Sequence, residues 1–347
     1  MGNLSVKKII LTAICLTCTI LPTKAQDATP VTKVDPPLFG FYTKSLDSGG
    51  ILIRSSAEVD DKALQVAAQK INLMLANIPD VRHNLAQWGA GIHIIGKNQQ
   101  TSDLPEFHDQ KGVSFVDNSA TTNIDVRTRG IGGIYTSCGE ENLLNLPGDR
   151  YAGSDICMHE FAHNIMFYGL DDSLSKKIDA QYKSAIKKGL WPGAYASVNA
   201  GEYWAELSMW YFGAHGEFLK GTKLPAAGAA GLKAYDPEGY ALLASIYSGK
   251  LKPAITDIAP AKNLTKGAKS AAVNIKARLM FTNNMEQKLK LFWIDYLGKA
   301  RAYGTVSPYS KAIQKTFVGN VWRVETEKGK VIGYYAATTP NAMVKLE

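Results

Sequence analysis

The stretch "SDICMHEFAHNIMFYGL", Ser154 to Leu170, decides how the chain is read. Within it His159 and His163 stand four residues apart, with Glu160 directly after the first. On an α-helix, positions i and i+4 share a face, so two imidazoles can reach one ion. Glu160 lies about 100° further round and still reaches a water held at that ion, which is why H-E-x-x-H works mechanically. Ser154 or Asp155 is placed to cap this helix, and Gly169 to end it. The spacing predicts a helix over 154–167 that carries a metal site.

A catalytic zinc takes three protein ligands and keeps a fourth position open. A third histidine six residues on is absent, because Met166 and Gly169 occupy that segment. The best downstream source is "YASVNAGEYWAELSMWYF", Tyr195 to Phe212. There Glu202 and Glu206 are again i and i+4 on one helix. The first can bind the metal, and the second can accept the distal N–H of a ligating imidazole and fix its tautomer. Tyr203, Trp204, Leu207, Met209 and Trp210 surround them. A helix this apolar is largely buried, and buried carboxylates need partners. Asp171 and Asp172 read as the cap of the next helix rather than as ligands. His93 reads as a core residue of a strand, and His108-Asp109 as a polar loop. Asn164 and Asn199 are placed to orient the site.

"HEFAH" together with "Y-x(3)-N-x(2)-E-Y-W-A-E" resembles the gluzincin metallopeptidases, most of all the catalytic domain of anthrax lethal factor and its relatives. Exported bacterial and fungal proteins carrying H-E-F-A-H and E-Y-W-A-E are similar as well. The resemblance implies one zinc ion held by His159, His163 and Glu202. It further implies Glu160 as general base toward the zinc-bound water, Tyr195 as hydrogen-bond donor to the oxyanion, and Glu206 as the carboxylate behind a ligating histidine. The matching segments are short and specific.

Outward from the motif, "GGILIRSS" (49–56) and "AGIHIIGKN" (90–98) read as strands, and "RGIGGIYTS" (129–137) as a Gly-rich edge strand on which a peptide could add. Residues 60–78 put Leu64, Ala67, Ala68, Ile71 and Leu75 on one helical face, and two further helices fall at 173–188 and 201–213. This predicts an α+β, zincin-like catalytic domain over 39–255, preceded by a Pro-rich leader at 26–38 and followed by a linker at 256–270. Residues 271–347 change texture to short alternating segments separated by turn residues, the signal of a small all-β sandwich.

Within that module, "LFWIDYLGKARAYGTVSPYSKAIQKTFVGNVWRV" (291–324) resembles the β-domain of the von Hippel–Lindau tumour suppressor, without a gap from Trp293 to Trp322. The resemblance implies a peptide-binding pocket for hydroxyproline at Trp293, Tyr303, Thr316, Asn320 and Trp322. Thr316 stands for a serine of that family and Asn320 for a histidine; both keep a hydrogen-bonding group. The residue-level alternative is that the two tryptophans are only sandwich core.

The N-terminus has Lys7 and Lys8, an apolar run from Ile9 to Leu21, and Thr23-Lys24-Ala25 before Gln26. This reads as a Sec-type signal peptide, residues 1–25, too short in its apolar run to span a membrane. The expected location is therefore the periplasm or the exterior. Cys138 and Cys157 are the pair left after cleavage, and in an exported chain they read as a disulfide. Removing Lys7, Lys8 and Lys24 lowers the formal charge of +8 by three, too little to argue for nucleic acid. Apolar residues at 46% support a packed core. The reading is a secreted zinc peptidase acting on protein or peptide. The alternatives are a zinc hydrolase of another substrate, or a catalytically silent binding protein.

Overall fold

The computed structural model describes residues 30–117, 120–214 and 224–347. The expected signal peptide with Cys15 and Cys18 lies outside the described residues, as does His215. Among the described residues no helix is long and apolar enough to cross a membrane.

The N-terminal part is built on a six-stranded mixed sheet. Its strands are β1 (Thr32–Leu38), β2 (Tyr42–Asp47), β3 (Leu52–Ser55), β4 (Gly91–Ile95), β7 (Gly130–Ile131) and β8 (Tyr135–Gly139), in the order β1-β2-β3-β4-β8-β7. β4 is parallel to both β3 and β8, so it lies at the sheet centre, and all five of its residues are buried. Its two faces go to different cores. Ile92 and Ile94 join the main helical core, and Ile95 joins a smaller cluster with Tyr42 and Leu104. The parallel β3–β4 step is made by α1 (Asp61–Met74) and α2 (Pro79–Trp88). α1 buries Ala63, Leu64, Ala67, Ala68, Ile71 and Met74, the face that a 3.6-residue period requires. Asp60 caps it by accepting from the Lys62 N–H.

Two expectations change here. Residues 32–38, read as a leader, form edge strand β1, paired antiparallel with β2; an edge strand tolerates Pro36 and Pro37 because one side needs no ladder partner. Residues 129–137, read as one strand, form a hairpin in which Gly132 and Gly133 separate the edge strand β7 from the inner strand β8. A second hairpin, β5 (Ser114–Asp117) and β6 (Ala120–Asn123), stands apart as a two-stranded sheet and leads into the short α3 (Ile124–Arg127). A further short helix, α4 (Glu140–Leu143), follows β8. Then come α5 (Ile156–Asn164), α6 (Asp172–Lys187), α7 (Ala200–Tyr211), α8 (Gly228–Tyr235) and α9 (Pro237–Tyr247).

The C-terminal part is two facing sheets. One, ordered β10-β16-β15-β12-β13, holds β10 (Lys262–Leu264), β12 (Leu289–Ile294), β13 (Ala300–Val306), β15 (Val321–Thr326) and β16 (Val331–Ala336). The other, ordered β14-β11-β17-β9, holds β9 (Ala259–Pro260), β11 (Lys276–Asn283), β14 (Lys311–Phe317) and β17 (Asn341–Leu346). Part of the expected linker thus supplies β9 and β10. Leu279, Phe281, Leu291, Trp322 and Val344 fill the space between the sheets. Met280, Ile313 and Met343 instead pack against the main core, so the second sheet is fastened to the N-terminal part. At that seam Lys311 Nζ donates to the carbonyls of Trp88 (3.1 Å) and Gly89 (2.8 Å), the end of α2, where the helix dipole favours a cation. The Arg278 guanidinium lies over the Trp88 ring.

Candidate active site and metal centre

The motif helix α5 begins where the sequence places it. Asp155 is the cap, its carboxylate accepting the Met158 N–H, and Lys70 of α1 pairs with that carboxylate. After His163 the helix loosens into a π turn, Ile165–Gly169, a distortion common at functional sites. This turn carries Phe167 and Tyr168 to the rim of the cleft. Asn164, one residue past the second histidine, donates to Ile134 O and Thr136 Oγ1 (both 3.2 Å) and ties α5 to the β7–β8 hairpin.

α7 crosses α5 and is pinned to it by the Trp204 indole N–H, which donates to Ala162 O at 2.8 Å. Asn199 caps α7 by accepting from the Gly201 and Glu202 N–H groups, and so fixes where Glu202 starts its turn. Glu202 and Glu206 then do different things. Glu202 Oε2 is 3.1 Å from His159 Nε2 and 3.2 Å from His163 Nε2, and the two Nε2 atoms are 3.2 Å from each other. Glu206, with 0% exposure, sets Oε1 3.0 Å from His159 Nδ1. Asp171 and Asp172 are not part of this cluster; Asp171 caps α6.

The triangle of two imidazole nitrogens and one carboxylate oxygen can be tested against a metal. Ligand atoms held about 2.0–2.1 Å from a tetrahedral zinc stand about 3.3 Å apart. The three measured edges, 3.1, 3.2 and 3.2 Å, agree with that spacing. The donor types, N, N and O, suit zinc. The electrostatics agree too. Burial pulls the His159 imidazole down, yet its hydrogen bonds to Glu202 and Glu206 overcome this and leave it raised to about 10. Burial raises Glu202, and the two imidazoles overcome that and hold it at about 2. A cluster that grips a proton this tightly has the negative potential that a dication would exploit.

Around the triangle lies a cleft of about 620 Å³. One wall is β7 with Gly132 and Gly133. Gly132 is needed for the close approach: a Cβ there would stand 2.9 Å from His163 Cβ and 3.0 Å from Glu160 Oε2. Glu160 faces the cleft beside the triangle, and burial raises its carboxyl against the opposing pull of the imidazoles. On another wall Tyr195, in a 3₁₀ turn before α7, sets its ring 6.0 Å from the His159 ring. Burial, with Glu202 and Glu160, raises its phenol. The six residues singled out from sequence are therefore brought together. Phe167, stacked at 6.1 Å on the His163 ring, and Arg127 also line this cleft. For Phe167 the i+4 spacing from His163 was a usable signal. For Arg127 there was none, since it arrives by a long-range fold.

Cys138 and Cys157 meet, buried, with their sulfurs 2.7 Å apart as two thiols. The sequence expectation of a pair is met by this juxtaposition of two thiols. His93 is a core residue, buried with Glu106 and Tyr42. His108, expected in a loop, lies in a 3₁₀ turn over 105–110, and its neighbour Asp109 reaches across to Lys288 of the sandwich.

In the sandwich, Trp322 is the register partner of Trp293. Its indole N–H donates to Thr316 Oγ1 at 3.1 Å, and its ring meets Tyr303 edge-on at 4.9 Å. Tyr303, at 59% exposure, lies on the edge strand β13. Asn320 Oδ1 and Trp293 Nε1 are buried without a hydrogen-bond partner among the described residues.

Residues 268–329 match the family model of the VHL beta domain. Among solved structures, the PRO-PRO endopeptidase PPEP-2 from Paenibacillus alvei is similar, with 15% identity over 56% of this chain and 96% of that one, at a TM-score of 0.41. No curated protein matches the chain.

Proposed function

We propose that the chain is an exported zinc-dependent peptidase of gluzincin type, with a zincin-like catalytic domain and a C-terminal sandwich that holds peptide. The observation that carries this reading is the triangle of His159 Nε2, His163 Nε2 and Glu202 Oε2. Bound at these three atoms, zinc would supply a Lewis acid and bring the pKa of water in its fourth position to about 7. Glu206 holds the Nδ1 proton of His159, leaving the Nε2 lone pair free to ligate. Glu160 takes one proton from the attacking water and returns it to the leaving nitrogen, so the carboxylate ends as it began. The Tyr195 O–H donates to the carbonyl oxygen as it gains charge, a contribution of about 3 kcal/mol for one well-placed donor. The edge strand β7 offers its backbone to an extended peptide.

The test pairs metal analysis with a peptide library, using wild type and Glu160→Gln. The reading expects one zinc in each chain of both proteins and peptide cleavage by wild type alone. Zinc without cleavage would move the assignment to a hydrolase of another substrate. No zinc, with stability indifferent to chelator, would leave a binding protein.

For the sandwich, the Trp322–Tyr303 pair, with Trp293 as register partner of Trp322, and the unpartnered Asn320 Oδ1 and Trp293 Nε1 favour a ring-bearing peptide residue with one hydroxyl, as in hydroxyproline. Titrating a hydroxyproline peptide and its proline twin against Glu160→Gln protein tests it. Preference for the hydroxylated peptide, lost in Asn320→Ala, is expected; equal binding would remove the assignment.

A further inference from the structure

Among the described residues, Arg127 is the only arginine or lysine that lines the cleft holding Glu160 and the three converging donors. It sits at the end of α3, directly after the β5–β6 hairpin. Its Nε donates to Asp117 Oδ2 at 2.8 Å, which anchors the guanidinium to β5 by one edge. Among the described residues its two terminal nitrogens make no hydrogen bond, and the side chain is 49% exposed. An arginine held this way presents the end of its fork, the planar pair of N–H groups that matches a carboxylate.

The other charged groups of the cleft are accounted for. Glu202 is taken up by the imidazoles, Asp117 by Arg127 itself, and Glu160 by the proton transfer proposed for it. Among the described residues of the cleft, the free end of Arg127 is left to meet a charge brought by a ligand. Arg127 lines the same cleft as Tyr195 and Glu160, the two groups that would serve the reacting bond.

Resting on the peptidase reading, we propose that Arg127 selects peptides carrying a carboxylate beside the bond that is cut, from an Asp or Glu side chain or from a free C-terminus. It acts on substrate choice and not on the chemical step.

The test uses a peptide cut by the wild type in four forms: Glu or Gln at the neighbouring position, each with a free or an amidated C-terminus. Wild type should favour the carboxylate forms by about tenfold or more in kcat/KM. The Glu/Gln pair reads a side-chain source, and the acid/amide pair a C-terminal one. Arg127→Gln should abolish the preference and leave neutral peptides within about twofold of wild type, which a merely structural role would not do. Asp117→Asn, which frees the cation, should keep the preference. Equal rates on all four forms by wild type would overturn the proposal. A binding arm separates it from the peptidase reading. Anisotropy of the same peptides on Glu160→Gln protein should show acid-selective binding that Glu160→Gln/Arg127→Gln loses. Selective binding without any cleavage would overturn the peptidase reading alone, and binding indifferent to the carboxylate would overturn this one.

Discussion

Glu206 Oε1 lies 3.0 Å from His159 Nδ1, and Glu206 has no exposure to solvent. A carboxylate is kept in such a place only if its partner holds it, and here the partner's other nitrogen faces Glu202 and His163. The relation sets the tautomer of His159. Glu206→Ala should therefore lower metal affinity by about 10–100-fold, read by competition with a chelating dye. Glu206→Gln, whose amide oxygen can still accept the hydrogen bond from Nδ1–H, should lose less. Unchanged affinity in both variants would mean that Glu206 is only a buried filler.

Gly132 makes a second point about the same geometry. Its missing Cβ is what lets β7 lie on α5, 2.9 Å from His163 Cβ by the position that atom would take. Gly132→Ala should reduce both metal affinity and peptide turnover while moving the melting temperature little, since the strain falls on His163 and Glu160 and not on the core. A variant that melts early with its metal affinity intact would contradict this.

On the far side of β4, Glu106 is buried against His93 and accepts from the Tyr42 hydroxyl at 2.7 Å. Burial raises the Glu106 carboxyl, and His93 with Tyr42 more than reverses this, leaving it below the usual range. The unfolded chain then takes up the proton first. The stability from this group is fully present above about pH 4.3 and is lost as pH falls below it toward the folded value. Glu106→Gln should cost about 3 kcal/mol or more at neutral pH in urea unfolding, and the gap to wild type should close on acidification. A gap that stays constant from pH 7 to the acid limit would refute the assignment.

Cys138 and Cys157 lie near the end of β8 and the start of α5, so a bond between them would hold the sheet to the helix of His159 and His163. Protein made through an oxidising compartment should show no free thiol when alkylated under denaturing, non-reducing conditions. Reduction should then cost about 3 kcal/mol, the value for a loop of this length. Alkylation of both residues without reduction would show that the pair stays as thiols.

The parts of this fold that could be read from the sequence are those fixed by local periodicity. α1 buries the face its apolar spacing predicts. α5 carries its two ligand candidates at i and i+4, and α7 carries Glu202 and Glu206 at the same spacing, a relation that needs only a helix to be realised. β1 was missed because Pro36 and Pro37 break the pattern of an inner strand, and an edge position tolerates them. The β7–β8 hairpin was read as one strand because Gly132-Gly133 look the same in sequence whether they form a bulge or a turn. Arg127 could not be found at all. Its place in the cleft depends on the β5–β6 hairpin and on Asp117, contacts that no short-range pattern encodes.

The most direct test of the central claim is zinc X-ray absorption on the purified protein, with metal content measured on the same sample. One zinc per chain is predicted, bound by two imidazole nitrogens and by oxygen at about 2.0–2.1 Å, with the histidine signal reduced in His163→Ala and zinc retained in Glu160→Gln. Failure to retain zinc after loading and desalting, or a first shell containing sulfur, would contradict the account.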